Sequence, residues 1–109
     1  MFRHIVLYTY KSDISHEQIR KIYEQLDTIS GKLPGRLTYT WGPYQSSEGR
    51  NQGYTHALIV DFVDEKGRDA FLHDPMRVEF SKREVLPRMV SGVHSIVSFD
   101  FEWVDKGGS

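Results

Sequence analysis

Apolar and polar residues follow one another with a period that changes along the chain, and the changes mark its elements. Phe2 to Tyr10 is dense in β-branched and aromatic residues, with apolar groups on both parities, as in a strand covered on both faces. Ser15-His16-Glu17-Gln18 forms a capping box, the serine hydroxyl and the glutamine amide each answering an unpaired N–H of the other's backbone. Ile19, Ile22, Leu26, Ile29 and Leu33 then recur at spacings of three and four, one stripe of a helix that Pro34-Gly35 ends. Leu37, Tyr39 and Trp41 alternate with Arg36, Thr38 and Thr40, predicting a half-buried strand closed by Gly42. The polar, turn-rich run from Pro43 to Gln52 reads as an exposed loop between antiparallel strands, and Gly53 to Phe62 as a third strand. Asp64 caps a helix running to His73, and Asp74-Pro75 opens a further helical segment that Pro87 kinks or ends. His94 to Val104 is the last strand, with Val97, Phe99, Phe101 and Trp103 on one face and Ser98, Asp100 and Glu102 on the other.

The order strand, helix, strand, strand, helix, strand predicts an α+β fold, a ferredoxin-like βαββαβ protomer. Connection rules place the first and third strands side by side at the centre, with both helices on one face. The other face is then bare although its strands carry apolar residues there, and the simplest cover is a second copy of the chain. A homodimer packed sheet against sheet is expected. Residues 1–104 form one domain on this reading, and 105–109 a flexible tail.

Composition narrows the partners. The chain has 109 residues and a mass of 12.7 kDa. Folding at that mass leaves roughly 6,200 Å² of about 18,400 Å² exposed, enough burial for one core without staples. The sequence contains no cysteine, which excludes disulfides, thiolate metal sites and thiol catalysis. With 14 Lys and Arg against 15 Asp and Glu there is no excess of positive charge to track phosphates. Gln52-Gly53-Tyr54-Thr55-His56-Ala57-Leu58-Ile59 keeps the glycine and first aromatic of an RNA-recognition element but lacks its basic start and later aromatics. The apolar N-terminal stretch is too short for a signal peptide and nothing later approaches a membrane span. A cytoplasmic protein with no nucleic-acid and no membrane partner is expected.

Five histidines are the groups whose ordinary pKa lies near neutrality. His4 and His56 fall inside the two central strands, flanked at two-residue spacing by Phe2 and Val6, and by Tyr54 and Leu58. Adjacent parallel strands lie about 4.8 Å apart, so two imidazoles on one face could share a water or a substrate. Taken singly, each reads first as a hydrogen-bonded core or interface histidine, and the register is open. His16, His73 and His94 read as surface groups. No histidine pair has helical zinc-site spacing, so no metal is expected, and there is no Gly-x-Ser-x-Gly elbow or P-loop. No cofactor is implied. Tyr8, Tyr10, Tyr39, Trp41 and Trp103 read as core and interface residues.

Arg3-His4-Ile5-Val6-Leu7, Trp41-Gly42-Pro43, Gly53-Tyr54-Thr55-His56 and Asp74-Pro75 together resemble the stress-responsive dimeric α/β-barrel (Dabb) domain, over essentially residues 2 to 103. The resemblance implies a ferredoxin-like protomer whose sheet closes into a barrel with that of its twin. Relatives that are plant polyketide cyclases close a linear polyketide between sheet and helices, using a tyrosine and a histidine. Those positions here are Phe71 and Arg77, which supply neither the hydroxyl nor the base. Two further cleft histidines of those enzymes match His4 and His56. The resemblance thus implies a small apolar or aromatic carbonyl-type ligand in the cleft, with His4, His56 and Arg77 as polar contacts and Phe71 and Tyr54 beside them. Arg77 would serve as a fixed cation for a carboxylate or enolate oxygen. Other readings are a non-enzymatic stress-response or structural dimer whose cavity its own side chains fill, and a cyclase-like or barrel-monooxygenase-like enzyme.

Overall fold

A computed structural model describes residues 1–105. Its strands are β1 (Phe2–Tyr8), β2 (Arg36–Pro43), β3 (His56–Phe62) and β4 (Ile96–Glu102), and its helices α1 (His16–Ser30), α2 (Glu65–His73) and α3 (Pro75–Phe80). The sheet order is β2-β3-β1-β4, with every neighbouring pair antiparallel. The sequence reading is corrected on one point here: the two central strands run antiparallel, not parallel. The crossover through α1 returns β2 in the direction of β1, and the hairpin to β3 then reverses it. The part of the expected tail from 106 on lies outside the described residues.

Caps set the helix starts where the sequence places them. Ser15 and Gln18 form the reciprocal box before α1, Asp64 accepts from the Gly67 N–H at 3.0 Å, and Asp74 accepts from the Arg77 N–H at 2.9 Å. α1 stops at Ser30, three residues before the end of its apolar stripe. Pro34 disfavours helical geometry at Leu33, and the chain turns there, with Leu33 N–H bonded to the Ser30 carbonyl at 3.1 Å. Gly35 completes the turn at φ 85°, a left-handed conformation that suits glycine. Beyond α3 the backbone widens into a π turn over Ser81–Val85 and tightens into a 3-10 turn over Leu86–Arg88. Pro87 accounts for the break, since it has no N–H and its ring would meet the carbonyl four residues back.

Alternation along β1 decides which face each residue serves. His4, Val6 and Tyr8 point toward the helices with Leu58, Val60 and Phe62 of β3, and pack on Ile19, Ile22, Tyr23 and Leu26 of α1. Tyr23 stacks on Trp41 at 4.6 Å and accepts a hydrogen bond from Tyr10 at 2.9 Å, while Tyr39 donates to its carbonyl at 2.7 Å. Leu37 departs from the expected alternation with Tyr39 and Trp41. A bulge between Arg36 and Thr38 shifts the register there and leaves Leu37 48% exposed.

Arg3, Ile5, Leu7, Ala57, Ile59, Val97, Phe99 and Phe101 share the other face by the same register, and no helix among the described residues covers it. Phe99 is 66% exposed. Near one end of this face Arg3 grips Asp61 through two parallel hydrogen bonds of 2.8 and 2.9 Å and lies over the Trp103 ring at 5.1 Å. That arginine, with help from Thr38, holds the Asp61 carboxyl below its ordinary pKa.

Candidate functional site

His4 is polar yet only 5% exposed, because the β1 alternation that buries Val6 and Tyr8 carries it inward too. Its cross-strand neighbour on β4 is Asp100, and the ring Nδ1 lies 2.6 Å from Asp100 Oδ1. The other carboxylate oxygen accepts from Arg68 of α2 at 2.8 Å. Burial is the chief cause that lowers the His4 pKa; Asp100 opposes it, and the Arg77 and Arg68 charges add to it. The imidazole is therefore neutral at pH 7. Facing a carboxylate, Nδ1 must carry the hydrogen, which leaves Nε2 as an acceptor without a partner among the described residues.

Arg77 sits in the first turn of α3, where the Asp74 cap fixes the backbone. It donates from Nε to the Phe71 carbonyl at 2.7 Å and from an Nη to the Leu72 carbonyl at 2.9 Å, closing the C-terminus of α2. Its guanidinium also lies 4.9 Å from the Phe71 ring centroid. Phe71 in turn meets the His4 ring edge-on at 5.6 Å. Arg77 is thus a half-buried cation with a structural task, not a free helix-surface arginine.

These groups border a cavity of about 190 Å³ between the sheet and the helices. Val6, Leu26, Leu58, Phe71, Phe80, Val85 and Ile96 make most of its wall, and His4, Arg77, Ser81, Ser98 and Tyr8 are the polar residues that line it. An apolar cavity of about 150 Å³ accommodates benzene, so this one has room for a single substituted ring. It can hold an oxygen near a fixed cation while a neutral imidazole takes or returns a proton.

His56 and Tyr54 do not join this cavity. The register pairs His56 with Tyr8 and His4 with Val60, so the two histidines share a face but stand four residues apart along it. At the usual rise that is about 13 Å, too far to share a water. His56 Nδ1 bonds to Thr55 Oγ1 at 2.9 Å and its ring meets Tyr10 at 5.0 Å. Burial lowers its pKa, with a smaller contribution from His16. With Tyr54 it lines a second cavity, of about 320 Å³, under the loop between β2 and β3. Tyr54 belongs to that loop: Gln52 and Gly53 have positive φ, Asn51 bonds to the Tyr54 carbonyl at 2.7 Å, and β3 begins only at His56.

Sequence reasoning missed Asp100, Arg68 and Tyr8. Asp100 was on the polar parity of β4, which reads as the solvent side when the neighbouring parity carries Val97, Phe99 and Phe101. The signal for Tyr8 was its position four residues from His4 on the same strand, hence on the same face.

The depressed His4 pKa sets a pH dependence. Unfolded, the imidazole titrates near 6.5; folded, it takes its proton at lower pH. The unfolded chain then binds more protons between those values, so stability is flat above about pH 6.5 and falls as pH drops through that window. Thermal melts from pH 7.5 to 5 are expected to show this fall. A His4→Gln variant should have a shallower slope, not a flat one, because His56 is depressed as well. An unchanged slope would contradict the assignment to His4.

Comparison with known proteins agrees with this architecture. The profile of the stress responsive A/B barrel domain matches residues 2–103. A stress-response A/B barrel domain-containing protein of Arabidopsis thaliana is 32% identical over 85 residues, covering 73% of this chain and 70% of that protein. Among solved structures, a hydroxynitrile lyase from Passiflora edulis is 28% identical with a TM-score of 0.75, covering 92% of this chain and 90% of the other. A protein from Jannaschia sp. CCS1, described as a dimeric ferredoxin-like protein of unknown function, superposes with a TM-score of 0.82 at 20% identity, covering 94% and 98%. A second Arabidopsis thaliana protein gives 0.81 at 21% identity, over 96% and 97%. With the family profile spanning nearly the whole chain and the ferredoxin-like sheet in place, this protein belongs to the stress-responsive A/B barrel (Dabb) domain family.

Proposed function

We propose that the chain is a homodimer, packed through the open faces of two sheets, in which each protomer binds one small apolar or aromatic carbonyl compound in the cavity beside His4. The observation that carries the ligand reading is the His4 Nε2. It is a neutral acceptor on a ring held by Asp100, in a residue that lines the cavity together with the cation Arg77. A cavity filled by the chain's own side chains would leave no such volume, so the self-filled structural dimer is the weaker reading. The dimer rests on Phe99, Phe101 and Val97, exposed on a face that carries Ile5, Leu7 and Ile59. It is supported by relatives of the same fold that are described as dimeric.

The same pair of groups suits proton transfer. The Passiflora relative is named for action on a hydroxynitrile, the cyanide adduct of a carbonyl compound. In this cavity His4 Nε2 would take the hydroxyl proton as the bond from carbon to cyanide breaks and the carbonyl forms. Arg77 would stabilise the departing anion, which then receives the proton. The experiment is a titration of the ¹⁵N-histidine-labelled protein with 4-methylacetophenone, followed by release of benzaldehyde from mandelonitrile. The ketone should shift the His4 Nε2 resonance, and His4→Ala should lower mandelonitrile cleavage about 100-fold or more. A ketone that leaves His4 unperturbed would overturn the ligand reading. Binding without cleavage would leave a binding protein and overturn only the reaction.

A further inference from the structure

β1 places a second polar group in the cavity, one the proposed proton transfer does not use. Tyr8 is 6% exposed and lines the cavity wall, with its ring packed edge-on against Tyr23 at 5.7 Å. The neighbouring tyrosines are satisfied: Tyr10 donates to the Tyr23 hydroxyl and Tyr39 to the Tyr23 carbonyl. No group of the described residues bonds to the Tyr8 hydroxyl. Among the described residues, the polar side-chain atom that is sealed from open volume without a well-aligned hydrogen bond is the Trp103 indole nitrogen, beside Asp61. The Tyr8 oxygen therefore keeps contact with open volume, and the volume Tyr8 borders is this cavity. A buried hydroxyl left without a partner is costly, so one facing a cavity is a place for a ligand's polar group.

Tyr8 and His4 rise from the same face of the same strand, four residues apart, with Val6 between them. Their Cα atoms are thus about 13 Å apart at the usual rise. Arg77 lies near enough to both for its charge to act on each. A ligand that meets both must therefore carry its polar atoms at opposite ends. A single benzene ring with a carbonyl group and a hydroxyl para to one another places them so, and its bulk suits a cavity of about 190 Å³.

Resting on the ligand reading above, we infer that the ligand is a one-ring aromatic carbonyl compound with a hydroxyl para to the carbonyl, its carbonyl end at His4 and Arg77 and its hydroxyl end at Tyr8. Tyr8 is the specificity-determining residue in that arrangement and takes no part in proton transfer. Burial also raises its pKa, so the side chain remains a neutral hydroxyl that can give or accept the bond.

The test compares 4-hydroxyacetophenone with 4-methylacetophenone, which has nearly the same size and lacks the para oxygen, by isothermal titration of the full-length protein. Wild type should bind the hydroxy ketone about tenfold more tightly, the size of one well-made neutral hydrogen bond. Tyr8→Phe should bind both alike, at the affinity wild type shows for the methyl ketone. Equal binding of the two ketones by wild type, or a preference that survives in Tyr8→Phe, would overturn the inference. The wild-type comparison decides even if the variant folds poorly. If 4-methylacetophenone binds no better than 4-ethyltoluene, which has no carbonyl, the carbonyl-ligand reading itself fails and this inference goes with it.

Discussion

Phe71→Ala is expected to lower the unfolding free energy by about 3–5 kcal/mol, a large share of the roughly 5–15 kcal/mol that holds a domain of this size. Phe71 is 1% exposed and links three groups: Phe62 at 5.5 Å, the His4 ring at 5.6 Å and the Arg77 guanidinium at 4.9 Å. Truncation removes the transfer free energy of the ring and joins its volume to a cavity that already exists, so the surroundings have little means of closing the gap. It also takes the aromatic face from Arg77, whose hydrogen bonds close α2. Urea unfolding should show a lower midpoint at an unchanged slope, and thermal melting a drop on the order of 15 °C. Phe71→Leu, which keeps most of the volume, should cost well under half as much. A loss below about 1.5 kcal/mol for Phe71→Ala would mean that α2 and the sheet do not depend on this contact.

Phe99→Asp should convert the protein from dimer to monomer while leaving the protomer folded. Phe99 is exposed on the open sheet face, 6.4 Å from Phe101 by ring centroids and cross-strand from Ile5. In one protomer a carboxylate there meets only water, so the fold loses little. Between two sheets it would be buried without a counter-charge, and two-fold symmetry would place a second carboxylate in the same interface. Sedimentation equilibrium at micromolar concentration should give about twice the 12.7 kDa chain mass for wild type and the chain mass for the variant, with the same far-ultraviolet circular dichroism. A wild type that sediments as a monomer would remove the dimer from the proposed function. It would leave the cavity untouched, since the cavity lies on the opposite face of the sheet.

Much of the fold was legible because it is written in local chemistry. The Ser15 box, the Asp64 and Asp74 caps and the prolines at 34 and 87 act within a few residues, so their effects can be read from spacing. Elements went astray where a long-range pairing intervened. The bulge at Arg36/Thr38 turns Leu37 outward, and the loop hydrogen bonds around Asn51 and Tyr54 delay β3 to His56. The site was legible only in part for the same reason. His4, Phe71 and Arg77 line one cavity, but His56 and Tyr54 stand at another, because register separates His56 from His4 and Tyr54 falls in the loop before β3.

By itself the sequence determined the order of elements, the apolar character of both faces of the central strands, and the exclusion of cysteine chemistry. Those are consequences of periods of two and 3.6 residues and of residue type, which need no partner. The tertiary structure alone decided that Asp100 stands across from His4, that Arg68 backs it, and that Tyr8 lines the same cavity as His4. Each depends on strand register and helix docking, where a displacement of one residue would exchange the two faces of the sheet and everything they present.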